Sequence, residues 1–235
     1  VLFIVIAAGA TQTVAGFGYS LVAVRLLGFV MDPKDAVAVS MVGLLVNSAL
    51  VAWSERAHLD WAAARWLLVG AIPGLPVGLL LLEAASVDVL RVALAVAVVA
   101  SVALIATGVS GKSGGRSFML VAGFLTGALT TSLNTNGPPT VLALQARDLE
   151  PQQFRPTTSA VLGVTALIGF ALFAGAGRLT GDVQISTLVT FPGLLVGWRV
   201  GAAVRPRVSA STFRQFVLGL LIAAAGATVI AVFVG

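Results

Sequence analysis

The sequence predicts an all-α polytopic membrane protein made of two inverted repeats, each an interrupted, re-entrant helix pair followed by three transmembrane helices. Three observations predict it. Hydrophobic residues make up 58% of the chain and charged residues only 10%, with a mean hydropathy of +1.04, whereas soluble domains carry charge at about a quarter of their positions. Apolar runs of about 20 residues recur, enough to cross a hydrocarbon core of roughly 30 Å. Finally, Pro73-Gly74-Leu75-Pro76-Val77-Gly78 returns 119 residues later as Pro192-Gly193-Leu194-Leu195-Val196-Gly197. Other landmarks keep nearly the same offset: Pro33 with Pro151, Leu59 with Leu179, Arg91 with Arg214. A tandem duplication in an apolar chain is the signature of a transporter built from structural repeats.

Taken in order, residues 1–109 form the first membrane repeat, 110–117 a linker and 118–235 the second repeat. The first repeat opens with an interrupted apolar stretch at about 1–30, then spans at about 35–56, 62–82 and 86–108. The linker, Ser110-Gly111-Lys112-Ser113-Gly114-Gly115-Arg116-Ser117, is polar and glycine-rich. The second repeat has its interrupted stretch at about 118–147 and spans at about 152–175, 182–204 and 209–234. The first run lacks a basic leader and is part of a repeat, so it is not read as a cleaved signal. A start at Val1 without Met predicts a few residues upstream. Pro73 and Pro192 are expected to kink their spans. Trp53, Trp61, Trp66 and Trp198 are placed near span ends as interfacial anchors.

Each interrupted stretch is long for one span and breaks in the middle, the first over Thr11–Ser20 and the second over Thr130–Pro139. Irregular backbone at membrane depth survives only when buried in protein or lining a wet cavity. The stretches are therefore either hairpins that return to their own side or unwound helices that cross. If they return, one face collects Arg56, Arg65, Lys112, Arg116, Arg147, Arg155, Arg199, Arg205, Arg207 and Arg214, leaving Arg25, Lys34, Arg91 and Arg178 on the other. Crossing evens the split to nine against five. Positive charge gathers in the cytoplasm, which favours hairpins. Three crossings per repeat then invert the second copy and put both termini outside the cytoplasm.

The chemistry-bearing residues argue against catalysis. The single histidine, His58, is in a loop, and the nine acids fall at span ends, where they read as solvated. No carboxylate pair or metal-ligand cluster falls at depth, and there is no cysteine, so neither catalytic residues, metal ligands nor a cofactor is expected. A proton relay of buried acids is equally unsupported. What falls at depth is neutral and polar. Asn134 and Asn136 precede Gly137-Pro138-Pro139, and proline suits a helix's first turn, so a half-helix should begin near Pro138. Gly16, Gly18 and Ser20 mark the matching entry in the first repeat. Helix starts bind anions through free N–H groups and the positive end of the dipole. Two of them would make a cationic yet uncharged pocket from Gly16, Gly18, Ser20, Asn134, Asn136 and Gly137, with Thr131 and Asn47 as outer candidates. Against this stands the plainer reading that the Asn and Thr side chains only cap the half-helices. Arg25, about seven residues into the first half-helix, either holds the anion with its donor fork or snorkels to the interface beside Asp32. Asn47 either lines the path or bonds a neighbouring helix.

These residues carry a family resemblance. Ala15-Gly16-Phe17-Gly18, the segment Thr131–Pro139 (Thr-Ser-Leu-Asn-Thr-Asn-Gly-Pro-Pro), Gln153-Phe154-Arg155 after Pro151 and the Pro-Gly pair in each copy resemble the sulfite exporter TauE/SafE family across essentially the whole chain. The resemblance implies a secondary transporter of small organic or inorganic anions, often sulfur compounds such as sulfite, sulfoacetate or sulfonates. Tyr19-Ser20, where a further glycine is common, and Arg25 depart from the family's pattern and would retune the pocket. The reading is an exporter working by alternating access in the cell membrane. Its partners are a small anion and the lipid bilayer, self-association into a homo-oligomer being left open. The basic excess of 14 Lys and Arg over 9 Asp and Glu sits in short loops, where membrane orientation accounts for it better than nucleic acid does. The alternatives are an anion channel of the same architecture and a non-transporting scaffold subunit.

Overall fold

A computed structural model describes residues 1–27, 30–31, 33–84, 115–177, 181–209, 211–213, 215–216 and 219. Its regular structure among these residues is helical. The helices are α1 (Leu2–Ala15), α2 (Tyr19–Leu27), α3 (Pro33–Ser54), α4 (Trp61–Ala84), α5 (Arg116–Leu133), α6 (Gly137–Gln145), α7 (Pro151–Gly175) and α8 (Gly181–Val204), with 3-10 turns at Arg56–His58 and Arg205–Arg207.

Local sequence explains the ends. Pro33 and Pro151 open α3 and α7, where a missing N–H costs nothing. Gly16 closes α1 in the left-handed conformation (φ 84°), its N–H bonded to the Gln12 carbonyl at 2.7 Å. Asn134 closes α5 in the same way (φ 47°), its N–H on the Thr130 carbonyl at 3.1 Å. The breaks are shorter than the sequence suggests, only 16–18 and 134–136. Thr13, Thr130 and Ser132 stay helical because each hydroxyl donates to the carbonyl four residues back, at 2.8, 2.7 and 2.7 Å. The half-helix expected near Pro138 begins at Gly137. At nine residues each, α2 and α6 reach only about 14 Å, too short to span.

Among the described residues three helices, Ala36–Ser54, Trp61–Ala84 and Pro151–Gly175, are long and apolar enough to cross a membrane. The expected span at 182–204 coincides with α8. The span at 86–108, most of that at 209–234 and residues 110–114 of the linker lie outside the described residues.

α3 and α7 pack together at the centre, flanked by an α1–α8 pair and an α4–α5 pair. α2 folds back onto α1 and α3, and α6 onto α5 and α7. The flanking pairs explain the duplicated motif. A side chain at Gly70, Gly74 or Gly78 of α4 would strike the carbonyls of Leu120, Phe124 or Ala128 on α5. On α8, Gly193, Gly197 and Gly201 lie in the same way against Leu2, Ile6 and Ala10 of α1. Small residues at four-residue spacing let helices in lipid approach closely. Each copy's later helix thus packs on the other copy's broken helix.

Polarity is turned inside out. Ile72, Leu80, Leu167 and Leu188 are exposed, while Gln12, Asn47, Ser48, Thr126, Asn134 and Thr165 are buried. Such an exterior belongs in lipid. Trp53 and Trp61, at helix ends, are 72% and 65% exposed, as interfacial anchors would be.

Candidate functional site

The two breaks meet in the interior. Every residue from Ala15 to Leu21 is buried, and so are Asn134 to Leu144. Left-handed backbone at Gly16 (φ 84°), Gly18 (φ 102°) and Asn134 (φ 47°) turns each chain between its two helices. Between the turns stands Phe17, whose Cδ2 would lie 3.0 Å from a methyl added at Gly137. Gly16 lies so close to α7 that a Cβ there would stand 2.8 Å from the Arg155 Cα, and Ser159 donates to the Gly16 carbonyl at 3.1 Å.

Polar side chains hold the first break. Gln12 Nε2 donates to the Gly16 carbonyl (3.2 Å) and to Ser48 Oγ (3.0 Å), and its Oε1 accepts from the Tyr19 N–H at 3.1 Å. The first N–H of α2 is thus capped from within the chain. Ser20, on the same turn, is 4% exposed and its Oγ has no hydrogen-bond partner among the described residues.

The second break is held differently. Asn134 Nδ2 donates to Ser40 Oγ on α3 at 2.8 Å, while its buried Oδ1 has no partner among the described residues. Asn136 occupies the cap position of α6, yet its side chain makes no capping bond. Its Nδ2 instead faces Thr130 Oγ1 at 3.0 Å and Thr165 Oγ1 at 3.5 Å. Buried polar atoms are normally paired, and an orphan is costly. Ser20 Oγ and Asn134 Oδ1 are therefore the atoms of these two breaks that still call for a partner.

Two outer candidates have structural bonds. Asn47 Nδ2 donates to the Gly9 carbonyl at 3.3 Å and its Oδ1 accepts from Thr13 at 3.4 Å, tying α3 to α1. Thr131 Oγ1 donates to the Leu75 carbonyl at 2.7 Å, tying α5 to α4. Arg25 belongs to α2, with its side chain outside the described part of the structure.

One expectation needs correction. The acids read as solvated include Glu55, which is 8% exposed, just beyond the end of α3. Its Oε1 pairs with Arg205 Nη1, and its Oε2 lies 3.6 Å from Arg155 Nε. Partners 100 and 150 residues away make the burial tolerable, since a buried charge must be paired. The group borders a cavity of about 710 Å³ that also meets His58, Glu150 and Gln152. Sequence reasoning missed Gln12, Glu55 and Arg205 as site neighbours. Arg155 was visible only as part of the Phe154-Arg155 pair, which faces Phe213: Phe154 edge-on at 5.7 Å, Arg155 Cζ 5.7 Å from the ring centre.

An apolar exterior, membrane-length helices and two broken helices that meet in a polar interior define an α-helical membrane protein. The chain belongs to the sulfite exporter TauE/SafE family, which it matches over residues 1–228. It is also similar to a protein of Cupriavidus necator named probable sulfite/organosulfonate exporter TauE, with 27% identity over 220 residues covering 90% of this chain and 85% of the relative. No solved structure matches it.

Proposed function

We propose that this protein is a secondary transporter that exports small anions across the cell membrane, sulfur oxyanions such as sulfite, sulfoacetate or other sulfonates, by alternating access at the paired breaks. One observation carries the reading: two left-handed breaks, opened by different halves of the chain, touch at Phe17 and Gly137 in a polar interior. Ser20 Oγ and Asn134 Oδ1 lack partners there. The start of α2 offers the N–H groups of Ser20 and Leu21, that of Tyr19 being held by Gln12. The start of α6 offers that of Gly137, since Pro138 and Pro139 have none. Both bring the positive end of a dipole without a fixed charge. Gly16, Gly18, Asn136 and Gly137 shape this site, and Asn47 and Thr131 brace it. The names of the family and of the relative in Cupriavidus necator agree with the cargo class.

The topology proposed with it is two inverted repeats whose interrupted stretches return to their own side. Support comes from Arg147 Nη2, 3.8 Å from Asp60 Oδ2, and from the Asp60 N–H donating to Thr157 at 2.9 Å. If the stretches crossed instead, residues 60 and 147 would emerge on opposite faces. Counterflow in proteoliposomes tests the mechanism. External sulfite or sulfoacetate should accelerate efflux of the labelled anion through a carrier. Flux without acceleration would mean a channel of this architecture, and no flux of any sulfur oxyanion would remove the transport reading.

A further inference from the structure

The cavity at the ends of α3, α7 and α8 contains two arginines that share one carboxylate. Glu55 and Arg155 are 8% and 7% exposed, and Arg205 is half-buried. Glu150 and His58 stand exposed on the rim, so of the two carboxylates on this cavity only Glu55 is buried beside the arginines. The pairing is also incomplete. Among the described residues Arg155 Nε is buried without a hydrogen-bond partner, the Glu55 oxygen being 3.6 Å away. A guanidinium fork is shaped for two oxygens of one oxyanion, and a buried cation without its full complement of acceptors is costly.

We propose that this group is an entry site for the exported oxyanion, in which Glu55 occupies the arginines until the oxyanion displaces its carboxylate. The proposal rests on the transport reading above and adds a second binding site to it. Three features favour a small oxyanion. One buried carboxylate is shared between two guanidiniums, about 710 Å³ of cavity lies in front of them, and the arginines offer forked donors. The site is also joined to the central break. The Arg155 backbone is the surface against which Gly16 packs, and Ser159, one turn along α7, holds the Gly16 carbonyl at 3.1 Å. An anion drawing the Arg155 side chain toward the cavity therefore pulls on the helix turn that supports the first break. In the proposed topology the cavity opens to the cytoplasm, the loading side of an exporter.

The test uses the purified full-length chain in a neutral detergent, with sulfite and sulfoacetate as probes, calorimetry for binding and proteoliposomes for flux. Glu55→Gln removes the internal competitor, so affinity should rise roughly tenfold, with KM and maximal flux both falling because release slows. Arg205→Gln should weaken binding by a similar factor. Glu55→Asp, which keeps the charge, covers the case in which the amide variant fails to fold and should stay within about threefold of the wild type. A merely structural cluster predicts a lower melting temperature with unchanged KM. Glu55→Gln or Arg205→Gln variants that fold and transport with wild-type KM would overturn the entry site while leaving transport intact. A wild type that neither binds nor moves either probe would instead remove the parent reading. Displacement of bound sulfoacetate by added phosphatidylglycerol would assign the arginines to a lipid phosphate and overturn the entry role.

Discussion

Phe17, in the middle of the first break, rests on Gly137, the first residue of α6, so closely that one added methyl would stand 3.0 Å from its ring. The two residues are 120 positions apart in the chain, and each belongs to backbone that has just turned. Contact there makes the breaks one object. Any motion that opens one side of the site must move the ring past the glycine or carry both together.

Gly137→Ala should therefore slow transport of sulfite or sulfoacetate, by about tenfold, without unfolding the protein. Phe17→Leu makes room for the methyl, and the double variant should recover part of the loss, since touching residues couple by about 0.5–3 kcal/mol. Initial flux in proteoliposomes for the four combinations measures the coupling. Strictly multiplicative effects would mean that the ring and glycine do not move against each other.

Ser20 and the bracing residues should separate cleanly. Removing the orphaned hydroxyl with Ser20→Ala leaves no partner stranded, so the melting temperature should hold or rise while anion affinity falls about fivefold. Thr131→Val breaks the bond to the Leu75 carbonyl and should cost about 0.5–1.5 kcal/mol of stability with affinity unchanged. Thermal melts and calorimetry on the same preparations decide. Unchanged affinity in Ser20→Ala would place the anion away from α2.

Much of this architecture was legible in the chain because lipid imposes strict rules. The spans near 35–56, 62–82 and 152–175 lie within two residues of α3, α4 and α7. Gly16 and Gly18 mark the first turn, since few other residues accept left-handed backbone, and the Asn-Gly-Pro-Pro run marks the second, its prolines suiting a helix's first turn. The extent of the breaks was misread because threonine looks like loop, while inside lipid its hydroxyl satisfies itself on the preceding turn, as Thr13 and Thr130 do. The Glu55 cluster was not legible. A carboxylate at a span end reads as solvated, and only the return of α8 and the start of α7 to the end of α3 encloses it. The role of Gln12 was hidden for a similar reason: its cap on Tyr19 depends on a fold-back that spacing alone does not reveal.

Sidedness is open to direct test because the chain has no cysteine to remove. Val1→Cys and Ala57→Cys lie at exposed positions on either side of the first hairpin and α3. Hairpins that return to their own side put residue 57 in the cytoplasm and residue 1 outside. A membrane-impermeant maleimide added to intact cells should label the first variant and spare the second. Labelling of both, or of Ala57→Cys alone, would refute the proposed orientation.

The driving force follows from where charge is absent. Among the described side chains the central breaks are lined by neutral groups, and Glu55 and Arg155 lie at one end of α3 and α7. On the proposed mechanism an anion passing between the half-helices would carry its own charge through most of the field. One elementary charge across 100 mV is worth about 2.3 kcal/mol, nearly fiftyfold in concentration ratio, and a negative cytoplasm directs an anion outward without any proton. Sulfoacetate efflux from proteoliposomes should thus rise steeply with an interior-negative potential set by potassium and valinomycin. Glu55→Gln should shift KM while leaving that steepness intact. Efflux that ignores the potential but follows an imposed pH gradient would show that a proton accompanies the anion. Loss of that pH response in Glu55→Gln would then identify the buried carboxylate as the proton's carrier and end the case for an uncoupled, potential-driven exporter.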